Sequence, residues 1–308
     1  MYALPKRSKW QSQTDKLIGN DSDDMNYLNS LWSKWMPETS PRVAIDAHPR
    51  LAGVMDTINA TDAHGPATKL PREFYDKKGR AVMDEMASDE WYSGYQESNE
   101  FRRLGIGGLM ADVVDRMLGT AVEGGWRSET SASGSSPENG KAIKFAMSGC
   151  HDTTIAAILG SLHVFDGKWP PFTSSVAIEL FTKSNDEESS NPPTTTKPST
   201  GFFSNLLGSS SATSSTARTP LADLPPTARK SMQEKHFVRV RYNDRPLLIP
   251  GCAAKPENHL PGNETFCTLD AFKEMVDKFT PKDWTVECTE NLGQGIFGKD
   301  GEERVKGV

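Results

Sequence analysis

The stretch Ile143-Lys144-Phe145-Ala146-Met147-Ser148-Gly149-Cys150-His151-Asp152-Thr153-Thr154-Ile155 changes its period halfway along. Ile143, Phe145 and Met147 alternate with polar or small neighbours, the pattern of a strand. Beyond Ser148-Gly149, the residues Ile155, Ile158, Leu159 and Leu162 recur at three and four, the pattern of a helix. The order strand, tight turn, helix makes this region α/β. His151 and Asp152 fall at the turn, where unpaired backbone N–H groups and the helix dipole favour an anion. In open α/β sheets that edge is also where ligands gather. A histidine and an aspartate there can bind a phosphoryl group and hand a proton to a leaving oxygen. The plainer reading makes Asp152 a helix cap and His151 a turn filler, and for the dipeptide alone it is preferred.

Outward from this point the chain divides by composition. Residues 1–24 are polar and aperiodic and read as a disordered lead-in. Residues 25–123 read as a helical lobe, whose clearest helix carries Ile106, Leu109, Met110, Val113, Val114, Met117 and Leu118 as its core stripe. Residues 124–140, with Gly124-Gly125, a serine-rich run and Pro137, form a linker. A core at 141–290 follows, in which Val176, Ile178 and Leu180 alternate as a strand. It is interrupted at 184–231 by a Ser/Thr/Pro-rich insertion that has too little apolar content to offset chain entropy and is expected to be disordered. Val238, Val240 and Tyr242, then Asn243-Asp244, then Leu247-Leu248-Ile249 read as a hairpin. Thr268 caps a helix with Phe272, Met275, Val276 and Phe279 inside, and 291–308 is a tail.

A chain of 308 residues can bury a sizeable core, and its net charge of −6 supplies no global basic field for nucleic acid or an anionic membrane. No run reaches the roughly 18 apolar residues of a spanning helix. Cys150, Cys252, Cys267 and Cys288 show neither a Cys-x-x-Cys pair nor zinc-finger histidine spacing. Cys252 and Cys267 bracket a loop rich in Pro and Gly and are a candidate disulfide, with unpaired thiols as the alternative. A cysteine-dependent phosphatase needs Cys-x5-Arg, and the residues six beyond the cysteines are Ala156, Asn258, Lys273 and Gln294. Gly105-Ile106-Gly107-Gly108 follows no strand and reads as close helix packing rather than a dinucleotide turn.

Ser148-Gly149-Cys150-His151-Asp152-Thr153-Thr154, with Asp166-Gly167-Lys168-Trp169-Pro170-Pro171-Phe172 and Ala177-Ile178-Glu179-Leu180 behind it, resembles the carboxy-terminal signature of the histidine acid phosphatases. These are the second branch of the histidine phosphatase, phosphoglycerate-mutase-like superfamily. Tyr242-Asn243-Asp244-Arg245-Pro246, Pro250-Gly251-Cys252, Phe266-Cys267-Thr268-Leu269 and Thr280-Pro281-Lys282-Asp283-Trp284 are similar to the family's closing segments. Trp35-Met36-Pro37-Glu38-Thr39-Ser40 and Arg103-Leu104-Gly105-Ile106-Gly107-Gly108 are similar to its helical lobe, above all in fungal members.

The resemblance implies an α/β sheet flanked by helices, here incomplete, with a helical lobe over the site. It implies hydrolysis of a small phosphomonoester through a phosphohistidine, with no metal or other cofactor. His151 would stabilise the phosphoryl oxygens and Asp152 would protonate the departing alkoxide. The family's nucleophile lies in an Arg-His-Gly-x-Arg-x-Pro motif near its amino terminus, and no Arg-His-Gly occurs in this sequence. His48, followed by Pro49-Arg50, reads as a lobe or surface residue. The chain alone is therefore expected to be nearly inactive, to leave a sheet edge without its neighbour, and to have the partner of Cys288 in the absent segment. The alternative is a noncatalytic relative that binds phosphorylated ligands. The sequons at Asn20, Asn59 and Asn263, together with family habit, point to the secretory pathway or the extracellular space.

Overall fold

In the computed structural model, which describes residues 22–121, 144–183 and 219–290, the chain opens with a helix that its own sequence caps. The Ser22 hydroxyl accepts from the Met25 N–H, and α1 (Asp23–Trp32) buries Met25, Leu28 and Trp32 at spacings of three and four. The helix thus begins inside the stretch expected to be a lead-in. Helix α3 (Lys77–Glu97) packs on both α1 and α2 (Leu51–His64). Asp76 ties α3 to α1, accepting from the Gly79 N–H that begins α3 and from the Tyr27 hydroxyl. The lobe's core comprises Trp32, Ile45, Leu51, Met55, Ile58 and Met83 with their neighbours.

A short α4 (Asn99–Arg102) leads through a π-helical segment, Arg103–Gly107, into α5 (Gly108–Ala121). The glycines here serve close packing: a Cβ on Gly107 would lie 2.0 Å from the Phe279 carbonyl oxygen, and one on Gly105 would lie 2.9 Å from the Tyr95 ring. The Trp284 indole N–H, donating to the Leu104 carbonyl at 2.8 Å, clips α10 (Trp284–Thr289) to the same segment. Of the expected stripe, Ile106, Met110, Val114, Met117 and Leu118 are buried, whereas Leu109 is 42% exposed. Leu109 sits one residue out of the inward phase, and the wider π turn just before it shifts the faces.

The sheet is antiparallel throughout, in the order β1 (Val176–Thr182), β2 (His236–Tyr242), β5 (Asn263–Thr268), β4 (His259–Leu260), with the short β3 (Arg245–Pro246) on β2. β1 (Val176–Thr182) pairs β2 (His236–Tyr242) along its whole length, Ile178 opposite Val240 and Leu180 opposite Val238. Asn243 and Asp244 both take positive φ, the geometry of the tight turn that the Asn-Asp pair anticipates, but the returning strand is the short β3 (Arg245–Pro246), and residues 247–249, expected to supply it, lie beyond the ladder. β4 (His259–Leu260) and β5 (Asn263–Thr268) complete the sheet. Thr268 caps α9 (Leu269–Asp277) by accepting from the Ala271 N–H. Val238, Val240, Leu269, Phe272 and Val276 form a second core with α5 and with α6 (Asp152–Ser161).

Two further expectations are corrected. Residues 144–150 do not form a strand: Phe145 is 81% and Met147 86% exposed, and no described strand lies beside them. Alternation makes a segment fit for a strand, but a strand exists only when its N–H and C=O groups find a ladder partner. Ile143 lies outside the described residues. The insertion, expected to run disordered to residue 231, contains α7 (Pro226–Glu234), which begins with Pro226 in its first turn and buries Ala228 and Met232. Leu221 and Leu224, also buried, anchor the approach to it, so a few well-spaced apolar residues suffice against an existing core. The linker at 124–140, the tail at 291–308 and most of the insertion lie outside the described residues.

Candidate active site

The amino end of α6 is where local and tertiary constraints meet. His151 is extended, and its carbonyl accepts from the N–H groups of Thr154 and Ile155, so the helix starts at Asp152. The Asp152 carboxyl does not cap in the usual way. Its Oδ1 accepts from the Thr153 N–H at 2.7 Å, and its Oδ2 accepts from the Trp169 indole N–H at 2.7 Å. The His151 imidazole is exposed and makes no hydrogen bond to a described residue. Structure thus places the two expected site residues side by side at a helix start, open to solvent on the histidine side.

Trp169 reaches Asp152 because of the loop that follows α6. The helix closes with Leu162 and His163 donating back to Ile158 and Gly160, and His163 takes a positive φ of 57° that turns the chain. Asp166 accepts from the Lys168 N–H, and Gly167 at φ 76° makes the second turn, where a Cβ would be strained. Pro170 and Pro171 then stiffen the exit. The Trp169 ring lies 4.8 Å from that of Tyr92 and 6.0 Å, edge-on, from that of Trp91, so α3 of the helical lobe holds it. Tyr92 also packs edge-on against Phe165 at 5.4 Å. Sequence reasoning placed Trp169 and its prolines inside the family signature but assigned the indole no role. It also missed Tyr92 and Asp56.

Two further groups feel the Asp152 charge. Burial, and after it Asp152, raise the Asp56 carboxyl of α2 above the ordinary aspartate value. The Tyr92 phenol is pushed far up by burial first, then by Asp152 and Asp56. Its hydroxyl is buried and has no hydrogen-bond partner among the described residues. The helical-lobe side of the site is therefore acidic and aromatic. Among the described residues no arginine or lysine pairs with His151 or Asp152, and no cluster of three His, Cys, Asp or Glu side chains is arranged to hold a metal ion.

Cys252, on α8 (Pro250–Ala253), and Cys267, on β5, form a disulfide with Cα atoms 5.3 Å apart, both buried in the sheet core. This pair is a structural crosslink, as the sequence suggested. Cys150, beside the site, is an exposed thiol. His48 is exposed, at the end of the segment leading to α2, and its N–H donates to the Ser40 hydroxyl. Among the described residues no helix is long and apolar enough to cross a membrane.

No family model matches the chain. A Schizosaccharomyces pombe protein named probable acid phosphatase is 30% identical over 263 residues, which cover 84% of this chain and 51% of that protein. Prostatic acid phosphatase of Rattus norvegicus is 23% identical over 48% of this chain and 25% of its own length. Human lysophosphatidic acid phosphatase type 6 is 22% identical over 58% of this chain and 36% of its own length. The chain thus spans about half the length of the yeast relative and less of the others. Across most of its own length, this α/β chain with an antiparallel five-stranded sheet is similar to proteins named acid phosphatases.

Proposed function

We propose that this chain carries the phosphate-stabilising and acid half of a histidine acid phosphatase whose nucleophilic histidine lies outside the 308 residues. The observation that carries the reading is the Asp152 carboxyl held by two N–H donors at the start of α6, next to an open His151 imidazole. In the first step a nucleophilic imidazole attacks phosphorus and the P–O ester bond breaks. His151 bonds the phosphoryl oxygens, and Asp152 gives its proton to the departing alkoxide oxygen. In the second step Asp152, now a carboxylate, takes a proton from water as that water attacks phosphorus, which releases phosphate and frees the histidine. The substrate is a small phosphomonoester. The buried disulfide supports an oxidising, secretory compartment.

The test is hydrolysis of p-nitrophenyl phosphate between about pH 4 and 7 by the 308-residue chain and by the full-length protein, each with an Asp152→Ala control. Activity in the full-length protein alone, lost in the control, is the expected result. Equal activity in the 308-residue chain would overturn the placement of the nucleophile. A second reading, a noncatalytic phosphate binder, draws on the absence of Arg-His-Gly from the sequence. It predicts that the full-length protein binds vanadate or phosphate without turnover.

A further inference from the structure

The carboxyl of an aspartate ordinarily swings freely, because its terminal torsion is broad. At Asp152 both oxygens are held, one by the next backbone N–H and one by an indole that comes from 17 residues away. The indole belongs to a ring that is itself fixed. Tyr92 and Trp91 of α3 flank it, Gly167 and the two prolines shape its loop, and it packs against the core of the helical lobe. The Thr153 contact is local and would hold in any isolated helix start. The Trp169 contact is tertiary and exists only while the lobe and α6 are in register.

We propose that Trp169 is a positioning residue, its indole N–H fixing the plane of the Asp152 carboxyl so that the remaining face of the acid points at the leaving oxygen. This rests on the reading of Asp152 as general acid. The indole donor occupies one lone pair of Oδ2, and the backbone donor occupies one of Oδ1, which leaves a single defined direction on each oxygen for the transferable proton. A pre-oriented acid gives up no torsional freedom on the way to the transition state, and misplacement of a reacting group is costly in rate. The consequence is specific to leaving groups that need protonation. An alkoxide depends on the acid, whereas p-nitrophenolate departs with little help. Trp169 also couples the site to the helical lobe: any motion of α3 relative to α6 moves the donor away from Oδ2.

The test compares glycerol 2-phosphate with p-nitrophenyl phosphate in the full-length protein, using Trp169→Phe, Asp152→Asn and the double variant. Phenylalanine keeps an aromatic ring against Tyr92 and removes the N–H together with the rest of the pyrrole ring, so the comparison of the two substrates separates the lost donor from the lost packing. The expected result for Trp169→Phe is a fall in kcat of about tenfold on glycerol 2-phosphate, several times larger than on p-nitrophenyl phosphate, with KM little changed. The selective loss should vanish in the Asp152→Asn background. An equal loss on both substrates that persists in that background overturns the proposal, since it marks a packing role. So does an unaltered substrate ratio when Asp152→Asn alone shows the leaving-group effect. If Asp152→Asn affects neither substrate, it is the general-acid reading that fails. The indole N–H resonance of Trp169, identified by its loss in Trp169→Phe, gives a readout independent of turnover: it should move in Asp152→Ala, and an unchanged resonance overturns the contact itself.

Discussion

Replacing Gly107 with alanine tests the junction that holds the helical lobe against the carboxy-terminal helices. The added Cβ would sit 2.0 Å from the Phe279 carbonyl oxygen, 3.1 Å from Pro281 Cδ and 3.2 Å from the Phe279 carbonyl carbon. Ordinary contact begins near 3.4 Å, so the backbone at Phe279 must retreat by more than an ångström. It has little room to do so: its N–H is bonded to the Val276 carbonyl, Pro281 follows, and Trp284 is fastened to Leu104. Overpacking by one methyl costs about 1–3 kcal/mol, and a rigid backbone neighbour places this site at the upper end. Helix propensity returns up to about 1 kcal/mol. Gly108 is the internal control: it has helical φ and ψ, and a Cβ there meets nothing within 4 Å. Gly107→Ala should therefore lose about 2 kcal/mol while Gly108→Ala gains up to about 1 kcal/mol. At roughly 2–4 °C per kcal/mol, thermal unfolding followed by circular dichroism should separate the two variants by about 6–12 °C. Equal Tm values, or a more stable Gly107→Ala, would refute the close approach of the π segment to Phe279.

Opening the disulfide by Cys252→Ser with Cys267→Ser releases a loop of sequence separation 15 and should cost about 3 kcal/mol in urea unfolding; the two-serine variant should lose all sensitivity to reductant. His163 is held below the usual histidine value by burial and then by the Arg102 guanidinium, whose Nη1 lies 3.1 Å from its Nε2. The unfolded chain therefore binds the proton more readily, and stability falls as pH drops below about 6.5 toward the lowered folded value. His163→Asn, which tolerates the positive φ, should flatten the acid limb of a Tm-against-pH profile. Glu179 accepts from Arg239 at 2.8 Å and from Arg241 at 3.1 Å, and the Arg239 bond is the leading cause holding its carboxyl below the usual glutamate value. Its stabilisation is present above about pH 4.5 and is lost as pH falls through the lowered value, so Glu179→Gln should lower Tm at pH 7 and converge with the parent protein in acid. Asn263 is exposed at the start of β5 with its amide oxygen accepting from Thr265. Protein secreted from a eukaryotic host should lose mass on glycosidase treatment, and Asn263→Gln should reduce that loss.

Where one segment carries its own signal, the elements could be read directly. Thr268 before a stripe of Phe272 and Val276, and Asn243-Asp244 after the alternating run Val238, Val240 and Tyr242, specify a cap and a turn through contacts within a few residues. The pair His151-Asp152 was legible in the same way, because a helix start is a local event. What stayed hidden depends on partners far along the chain. The alternation through Phe145 and Met147 suits a strand, yet those residues stand exposed, since a ladder needs a second strand and the pattern does not name one. The helix over Pro226–Glu234 was hidden inside a polar segment because its burial comes from a core built by other elements. Leu109 moved outward because a π turn changed the phase of the helix, a change that spacing on a regular helix does not encode.

From residue type and local spacing come an imidazole and a carboxyl at the start of a helix and a candidate pairing of Cys252 with Cys267, which the folded chain joins as a disulfide. How that carboxyl is held depends on packing between distant segments. Trp169 reaches Asp152 through two turns at positive φ and a ring seat on Tyr92, and a hydrogen bond between residues 17 apart in sequence follows from where packing puts the loop, not from any periodicity in the chain.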